Sequence, residues 1–298
     1  MLSAVERKIE QFIAELEDRE VSSFYWMLPA GKRLRAKLIL KIAGNNLLAV
    51  KTAAVVEMIH AASLLHDDVI DDAYTRRNKP SLNALYGNKT AIMLGDILYS
   101  KGFLELNNIS MEIAKIVSNA VVQLSLGELR DVSLSKTFNV DKEIYLKMIY
   151  QKTASLIEAS AGAAAVLAGK PKEAYLTYGR NLGLAFQMID DILDITQDSA
   201  TLGKPALHDF VEGKTTLPYI YLYEALKSDE KRKLQSLHAK VLKPEEQLWI
   251  QTKMKEHQII EKSYLEAKAL IEEAIALMSA HGEDSLAGIA KEMIEREF

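Results

Sequence analysis

The chain has 298 residues, of which 49% are hydrophobic and 26% charged, and its formal net charge is −4 at pH 7. A globular chain of this length buries a sizeable core without covalent or metal staples. The absence of cysteine excludes disulfide scaffolds, thiolate metal sites and cysteine nucleophiles, and the slight negative charge argues against nucleic acid as a partner.

From the amino terminus, Val5, Ile9, Phe12, Ile13 and Leu16 recur at helical spacing with charged residues between them. Those charges interrupt the apolar run that a secretory leader requires, and no stretch is apolar for the length of a bilayer. The expectation is a cytoplasmic protein with no membrane span. Periods near 3.6 continue through residues 48–71, 90–106, 111–135, 141–168, 172–197, 215–227 and 258–280. Breaks fall between them at Pro29-Ala30-Gly31, Asn45-Asn46, Asn78-Lys79-Pro80, Gly169-Lys170-Pro171, Gly203-Lys204-Pro205 and Lys243-Pro244. No segment alternates with period two, so no strand is expected. Without a linker or a repeat, the pattern predicts one all-α domain over residues 1–298, a bundle of about ten or more helices.

Two acidic clusters stand out. His66-Asp67-Asp68-Val69-Ile70-Asp71-Asp72 ends the apolar run from Val55, and Asp190-Asp191-Ile192-Leu193-Asp194 follows Leu182–Ile189. Both read Asp-Asp-x-x-Asp, which places Asp67 with Asp71, and Asp190 with Asp194, one turn apart on one helix face. With 15 Asp in 298 residues, random placement yields only about 0.04 such patterns. Solvated helix ends account for one cluster more easily than for two, each attached to a hydrophobic helix. Like charges at that spacing destabilise a helix unless a cation relieves them. Hard oxygen donors suit Mg²⁺, which takes one or two carboxylates and shares substrate phosphates.

Basic residues complete the pattern. Gly31-Lys32-Arg33-Leu34-Arg35 opens a helix, Arg76-Arg77 closely follows Asp71, and Lys152-Thr153, Lys204 and Gly213-Lys214-Thr215-Thr216 are isolated cations beside hydroxyls or glycines. Arginine grips phosphate through a planar fork and lysine as a point charge, so cations around a metal site point to diphosphate recognition. No P-loop pattern is present. His60 shares the Asp67 face, whereas His66 points elsewhere and is expected to pack at the helix end.

From about Gly31 to Pro218 the chain resembles the all-trans polyprenyl diphosphate synthases, long-chain type. The resemblance rests on Leu64-Leu65-His66-Asp67-Asp68-Val69-Ile70-Asp71-Asp72 with Arg76-Arg77 and Lys79-Pro80, on Phe186-Gln187 before Asp190-Asp191-Ile192-Leu193-Asp194, and on the Gly31–Arg35, Gly95-Asp96, Lys152-Thr153 and Gly213–Pro218 elements. It implies a helical isoprenyl synthase fold around a central cavity, a homodimer, and Mg²⁺-dependent condensation of an allylic diphosphate with isopentenyl diphosphate. It also implies that Asp67, Asp71 and Asp190 hold the Mg²⁺ ions, with Asp68 and Asp194 in support. Arg76, Lys152, Lys204 and Lys214 would bind the allylic diphosphate, with Thr153 and Gln187 near the reacting carbons. Lys32, Arg35, His60 and Arg77 would bind isopentenyl diphosphate. Ala30, Ala36, Asn78 and the Leu207-His208 pair before Asp209 depart from the family pattern, but none removes a charged ligand.

Ala62 and Ser63, five and four residues before Asp67, are expected to set product length. Large side chains there would block a growing tail roughly 6–7.5 Å below the carboxylates, at about 1.5 Å of rise per residue. Small ones leave it open, which predicts a product of about C30–C50 with octaprenyl as the central expectation. Other readings are a shorter-chain geranylgeranyl diphosphate synthase, a terpene cyclase, a metal-binding helical scaffold, and the inactive subunit of a heteromeric synthase.

Overall fold

A computed structural model describes residues 1–196 and 207–294. Its helices are α1 (Leu2–Ala14), α2 (Arg19–Met27), α3 (Leu34–Ala43), α4 (Leu47–Ile70), α5 (Leu82–Tyr86), α6 (Asn88–Asn107), α7 (Met111–Leu134), α8 (Lys142–Ile149), α9 (Ser155–Ala168) and α10 (Lys172–Thr196). They continue as α11 (His208–Val211), α12 (Leu217–Ala225), α13 (Ser228–Leu237), α14 (Pro244–Glu256), α15 (Ile259–Ala280) and α16 (Ala287–Ile294). The all-α expectation holds, with two local departures. A hairpin of β1 (Thr75–Arg76) and β2 (Lys79–Pro80) follows α4, and a π-helical turn, Tyr150–Ala154, interrupts the segment read from periodicity as one helix over 141–168. Two-residue strands are too short to alternate, and one extra residue per turn barely disturbs a period count.

The described chain forms two compact units, each drawn from two separated stretches: Met1–Val122 with Leu156–Gly179, and Gln123–Ser155 with Arg180–Phe298. In the first, α4 packs against α6, α3 and α1. Asn46 caps α4 by accepting the Ala49 N–H at 3.0 Å. The helix is long and apolar enough to cross a membrane, yet most of that window is buried inside the protein, as befits a core helix. Val55, Val56, Met58 and Ile59 are fully buried, each contributing about 1.5–3 kcal/mol of apolar transfer as an upper estimate. Gly102 of α6 lets the helices approach closely, since a Cβ there would lie 3.2 Å from Ile59. Buried Lys101 ties α6 to α1 through Glu15 at 2.7 Å.

In the second unit, α12 starts with Pro218 in its first turn and packs against α15. Asp141 caps α8 by accepting the Glu143 and Ile144 N–H groups. An aromatic cluster of Phe138, Phe210, Tyr219 and His238 sits beside Gly213. Gly213 has φ 91°, and a Cβ there would lie 2.3 Å from the Ser135 carbonyl oxygen. Only glycine fits that conformation and that space.

Candidate active site

In the first unit, four carboxylates, Asp67, Asp68, Asp71 and Asp72, crowd the carboxyl end of α4, where the helix dipole adds further negative potential. Asp67 and Asp71 are half-buried, and Asp71 caps the helix through its N–H to the Asp67 carbonyl. Asp68 turns inward and receives Arg76 Nε at 2.8 Å and Nη2 at 2.7 Å. Burial pushes the Asp68 carboxyl above its ordinary pKa, against the pull of Arg76. Asn83 donates to the Asp68 and Ala73 carbonyls and Ser81 donates to Ala73, so the turn leaving the helix is pinned.

The hairpin that follows pairs Thr75 with Pro80 and Arg76 with Lys79. Its central residues, Arg77 and Asn78, both have positive φ, 52° and 60°, as a two-residue hairpin turn requires. Asparagine tolerates that region, so Asn78 preserves the turn. Arginine there carries backbone strain, a feature that collects at functional sites.

Arg77 reaches back to donate to the Pro29 carbonyl at 3.0 Å, lying against Gly31, where a Cβ would come within 3.1 Å of its guanidinium. Arg33 at the start of α3 is also left-handed, φ 53°, and pairs with Glu6 at 2.7 Å and Glu57 at 3.4 Å. Glu57 also accepts the Ala36 N–H at 3.0 Å. Arg35 belongs to the same cluster, and its Nε is buried without a hydrogen-bond partner. His60 of α4 sits within the field of these cations. Burial, then Arg35, Arg77, Arg76 and Arg33, hold its pKa well below the usual histidine value, so the ring is neutral. Of the residues expected to bind isopentenyl diphosphate, Arg35, His60 and Arg77 thus cluster, while Lys32 stands exposed beside them.

His66 behaves as packing. Its Nε2 lies 3.2 Å from the Ile92 carbonyl and 3.4 Å from Asp96, over Gly95, where a Cβ would be 2.4 Å away. Ala62 is fully buried, whereas Ser63 keeps some exposed surface and donates to the His60 carbonyl at 2.9 Å.

In the second unit, the π-turn presents Lys152 and Thr153. Lys152 contacts Asp131 at 2.7 Å and Glu128 at 2.9 Å. Thr153 Oγ1 donates to Gln187 Oε1 at 2.7 Å, and Gln187 Nε2 donates to Asp191 at 2.9 Å. Tyr145 donates to the other Asp191 oxygen at 2.6 Å. Burial, then the charge of Asp209, pushes the Asp191 carboxyl well above its usual range. Asp190, half-buried, stands on the more open side of α10. Asp194 is buried and accepts the Asp209 N–H at 3.2 Å, which ties the end of α10 to the α11 segment. Lys214 pairs with Glu212 at 2.8 Å. Burial alone would raise the Glu212 pKa, but the hydrogen bond from His208 and the charge of Lys214 bring it to about 2. Lys204 lies outside the described residues.

Several residues here escaped sequence reasoning: Glu57, Glu128, Asp131 and Tyr145. Only Gly127-Glu128-x-x-Asp131 left a trace, a glycine inside a helical pattern.

Among the described residues no group of three His, Asp or Glu side chains forms a ready-made metal cage. Paired, partly exposed carboxylates on a helix end fit an ion that shares substrate oxygens, as magnesium does.

A prenyl transferase of Synechocystis sp. is 40% identical over 205 residues, 65% of this chain and 64% of that protein. The matched chain thus spans just under two thirds of that relative's length. The crystal structure of octaprenyl pyrophosphate synthase from Helicobacter pylori superposes with TM-score 0.93 at 42% identity, covering 99% of this chain and 98% of that one. A polyprenyl synthase from Caulobacter crescentus, complexed with calcium and isoprenyl diphosphate, gives TM-score 0.91 at 29% identity, covering 100% of this chain and 95% of that one. Residues 20–253 match the model of the polyprenyl synthetase family, and the chain belongs to that family.

Proposed function

We propose that the protein is a magnesium-dependent all-trans prenyltransferase. It condenses an allylic diphosphate, such as farnesyl diphosphate, with successive isopentenyl diphosphate units to a long-chain product of about C30–C50, with octaprenyl favoured. The observation that carries this reading is the cluster of Arg33, Arg35 and Arg77 around the Gly31–Ala36 segment, with His60 in its field two turns before Asp67 on the same helix. A diphosphate matches the chemistry of those cations. Similarity to the octaprenyl pyrophosphate synthase of Helicobacter pylori supports the long product.

Asp67, Asp71 and Asp190 would hold magnesium, which when bound would supply positive charge to the diphosphate leaving group. Arg76, Lys152, Lys204 and Lys214 carry the remaining diphosphate charge, and Asp68 fixes Arg76 by accepting two of its N–H groups on one oxygen. Asp194 supports the same end of α10 through the Asp209 N–H. Lys32, Arg35, His60 and Arg77 hold isopentenyl diphosphate so that its double bond meets the allylic carbon. His60, being neutral, donates one ring N–H without adding charge. Thr153 and Gln187 offer dipoles rather than nucleophiles beside the reacting carbons. We assign the protein to the cytoplasm as a homodimer over a single domain of residues 1–298. Exposed Leu126 and Leu129 on α7 support the dimer.

The test is an assay of the purified protein with farnesyl diphosphate, isopentenyl diphosphate and Mg²⁺, with products separated by length. Elongation is expected, and Asp67→Ala or Asp190→Ala is expected to lower turnover by orders of magnitude. No elongation, or undiminished turnover in both variants, overturns the assignment. Turnover without isopentenyl diphosphate would identify a cyclase instead.

A further inference from the structure

Asp191 sits inside an aspartate motif, yet both of its oxygens are occupied far from solvent. Its side chain is 3% exposed and that of Tyr145 1% exposed. One carboxylate oxygen receives the Tyr145 hydroxyl at 2.6 Å and the other receives Gln187 Nε2 at 2.9 Å. The Tyr145 hydroxyl proton goes to Asp191.

The orientation of the remaining groups follows. The amide nitrogen of Gln187 faces Asp191 and its amide oxygen faces Thr153. Thr153 spends its single hydroxyl proton on that oxygen, at 2.7 Å. What the Thr153 oxygen has left is lone pairs. The buried end of the chain, Tyr145 and Asp191, leads outward to Gln187 and Thr153, which are both half-buried. Beside them stands Lys152, in the same π-turn as Thr153.

We propose that Tyr145 and Asp191 are positioning residues that orient Thr153 through Gln187, so that its oxygen faces the substrate as an acceptor only. This rests on the prenyl-transfer reading above. An oxygen lone pair held toward carbon that gains positive charge stabilises it, whereas a hydroxyl proton in the same place opposes it. A fixed chain of hydrogen bonds holds that polarity without reorganisation during reaction.

The experiment is a double-variant cycle in the full-length protein, with steady-state kinetics on farnesyl diphosphate, isopentenyl diphosphate and Mg²⁺. Tyr145→Phe and Thr153→Val are each expected to lower kcat on the order of tenfold, the scale of one hydrogen bond to a charged group. KM for both diphosphates should stay within about twofold, because ground-state binding is untouched. Thr153→Ser, which keeps the hydroxyl, should lose less kcat than Thr153→Val. The double variant Tyr145→Phe/Thr153→Val should lose no more than Thr153→Val alone, since both changes break one chain. Losses that multiply, or a wild-type kcat in Tyr145→Phe, overturn the inference. If Tyr145→Phe does not fold by thermal denaturation, Asp191→Asn takes its place in the cycle with the same expectation. A wild-type protein inactive on both diphosphates overturns the transferase reading together with the inference, whereas an active one with additive variants overturns the inference alone.

Discussion

A Cβ on Gly127 would lie 2.3 Å from the backbone nitrogen of Lys152. The middle of α7 is thus pressed directly onto the π-turn that carries Lys152 and Thr153. One turn of α7 also supplies Glu128 and Asp131, the carboxylates that hold the Lys152 ammonium. A single glycine sets how near those carboxylates come.

Gly127→Ala should therefore force the two backbones apart. The expected cost is about 1–3 kcal/mol of stability, the range for overpacking. Turnover at saturating substrate should fall as well, because Lys152 and Thr153 move together. Thermal denaturation and kcat on the same preparation check this; an unchanged kcat would show that the close approach is irrelevant to the site.

Ala62 and Ser63 separate into different roles. Ala62 has no exposed surface, so Ala62→Phe should destabilise the fold by about 1–3 kcal/mol or prevent folding. Ser63 keeps open space beside it, so Ser63→Phe should fold and release shorter chains, read by product chromatography. Full-length product from Ser63→Phe would mean that the tail runs along another path.

Glu57 braces the segment from Pro29 to Ala36. Glu57→Gln leaves a donor facing either the Ala36 N–H or Arg33, a mismatch in a buried place that should cost about 1–3 kcal/mol. The measurable consequence is a rise of about tenfold in KM for isopentenyl diphosphate with a smaller change in kcat, by steady-state kinetics. Equal KM values would show that the loop holds its shape without this carboxylate.

The depressed pKa of His60 has a signed effect on stability. Above about pH 6.5 the ring is neutral whether the chain is folded or not. As pH falls below that value the unfolded chain takes up a proton that the folded protein refuses, so stability is lost on the acid side. His60→Gln should remove up to about 1.4 kcal/mol per pH unit from that slope. Urea midpoints between pH 7.5 and about 5 measure it. Parallel slopes in both proteins would contradict the burial of a neutral ring among arginines.

Much of the fold was open to a reading of periodicity, because α4, α6, α7, α10 and α15 are long and repeat apolar residues every third or fourth position. The paired aspartate motifs were equally plain, being local strings of one residue type. What stayed hidden depends on tertiary contact. Tyr145 meets Asp191 across 46 positions, and Arg33 meets Glu57 across 24, with no pattern in either neighbourhood to announce the pairing. Likewise the charges at Glu128 and Asp131 read as an ordinary helix surface until Lys152 arrives against them. The hairpin at Arg77 and Asn78 was missed because its turn uses arginine where glycine or asparagine would have signalled positive φ.

The ion pair between Glu6 and Arg33 extends the influence of α1. Residue 6 precedes the first position that aligns with the family, at residue 20, yet its carboxylate sits on a cation adjoining the anion pocket. A change in this first helix retunes that cluster while every arginine in it stays in place, so substrate affinity depends on a stretch outside the family-matched residues 20–253.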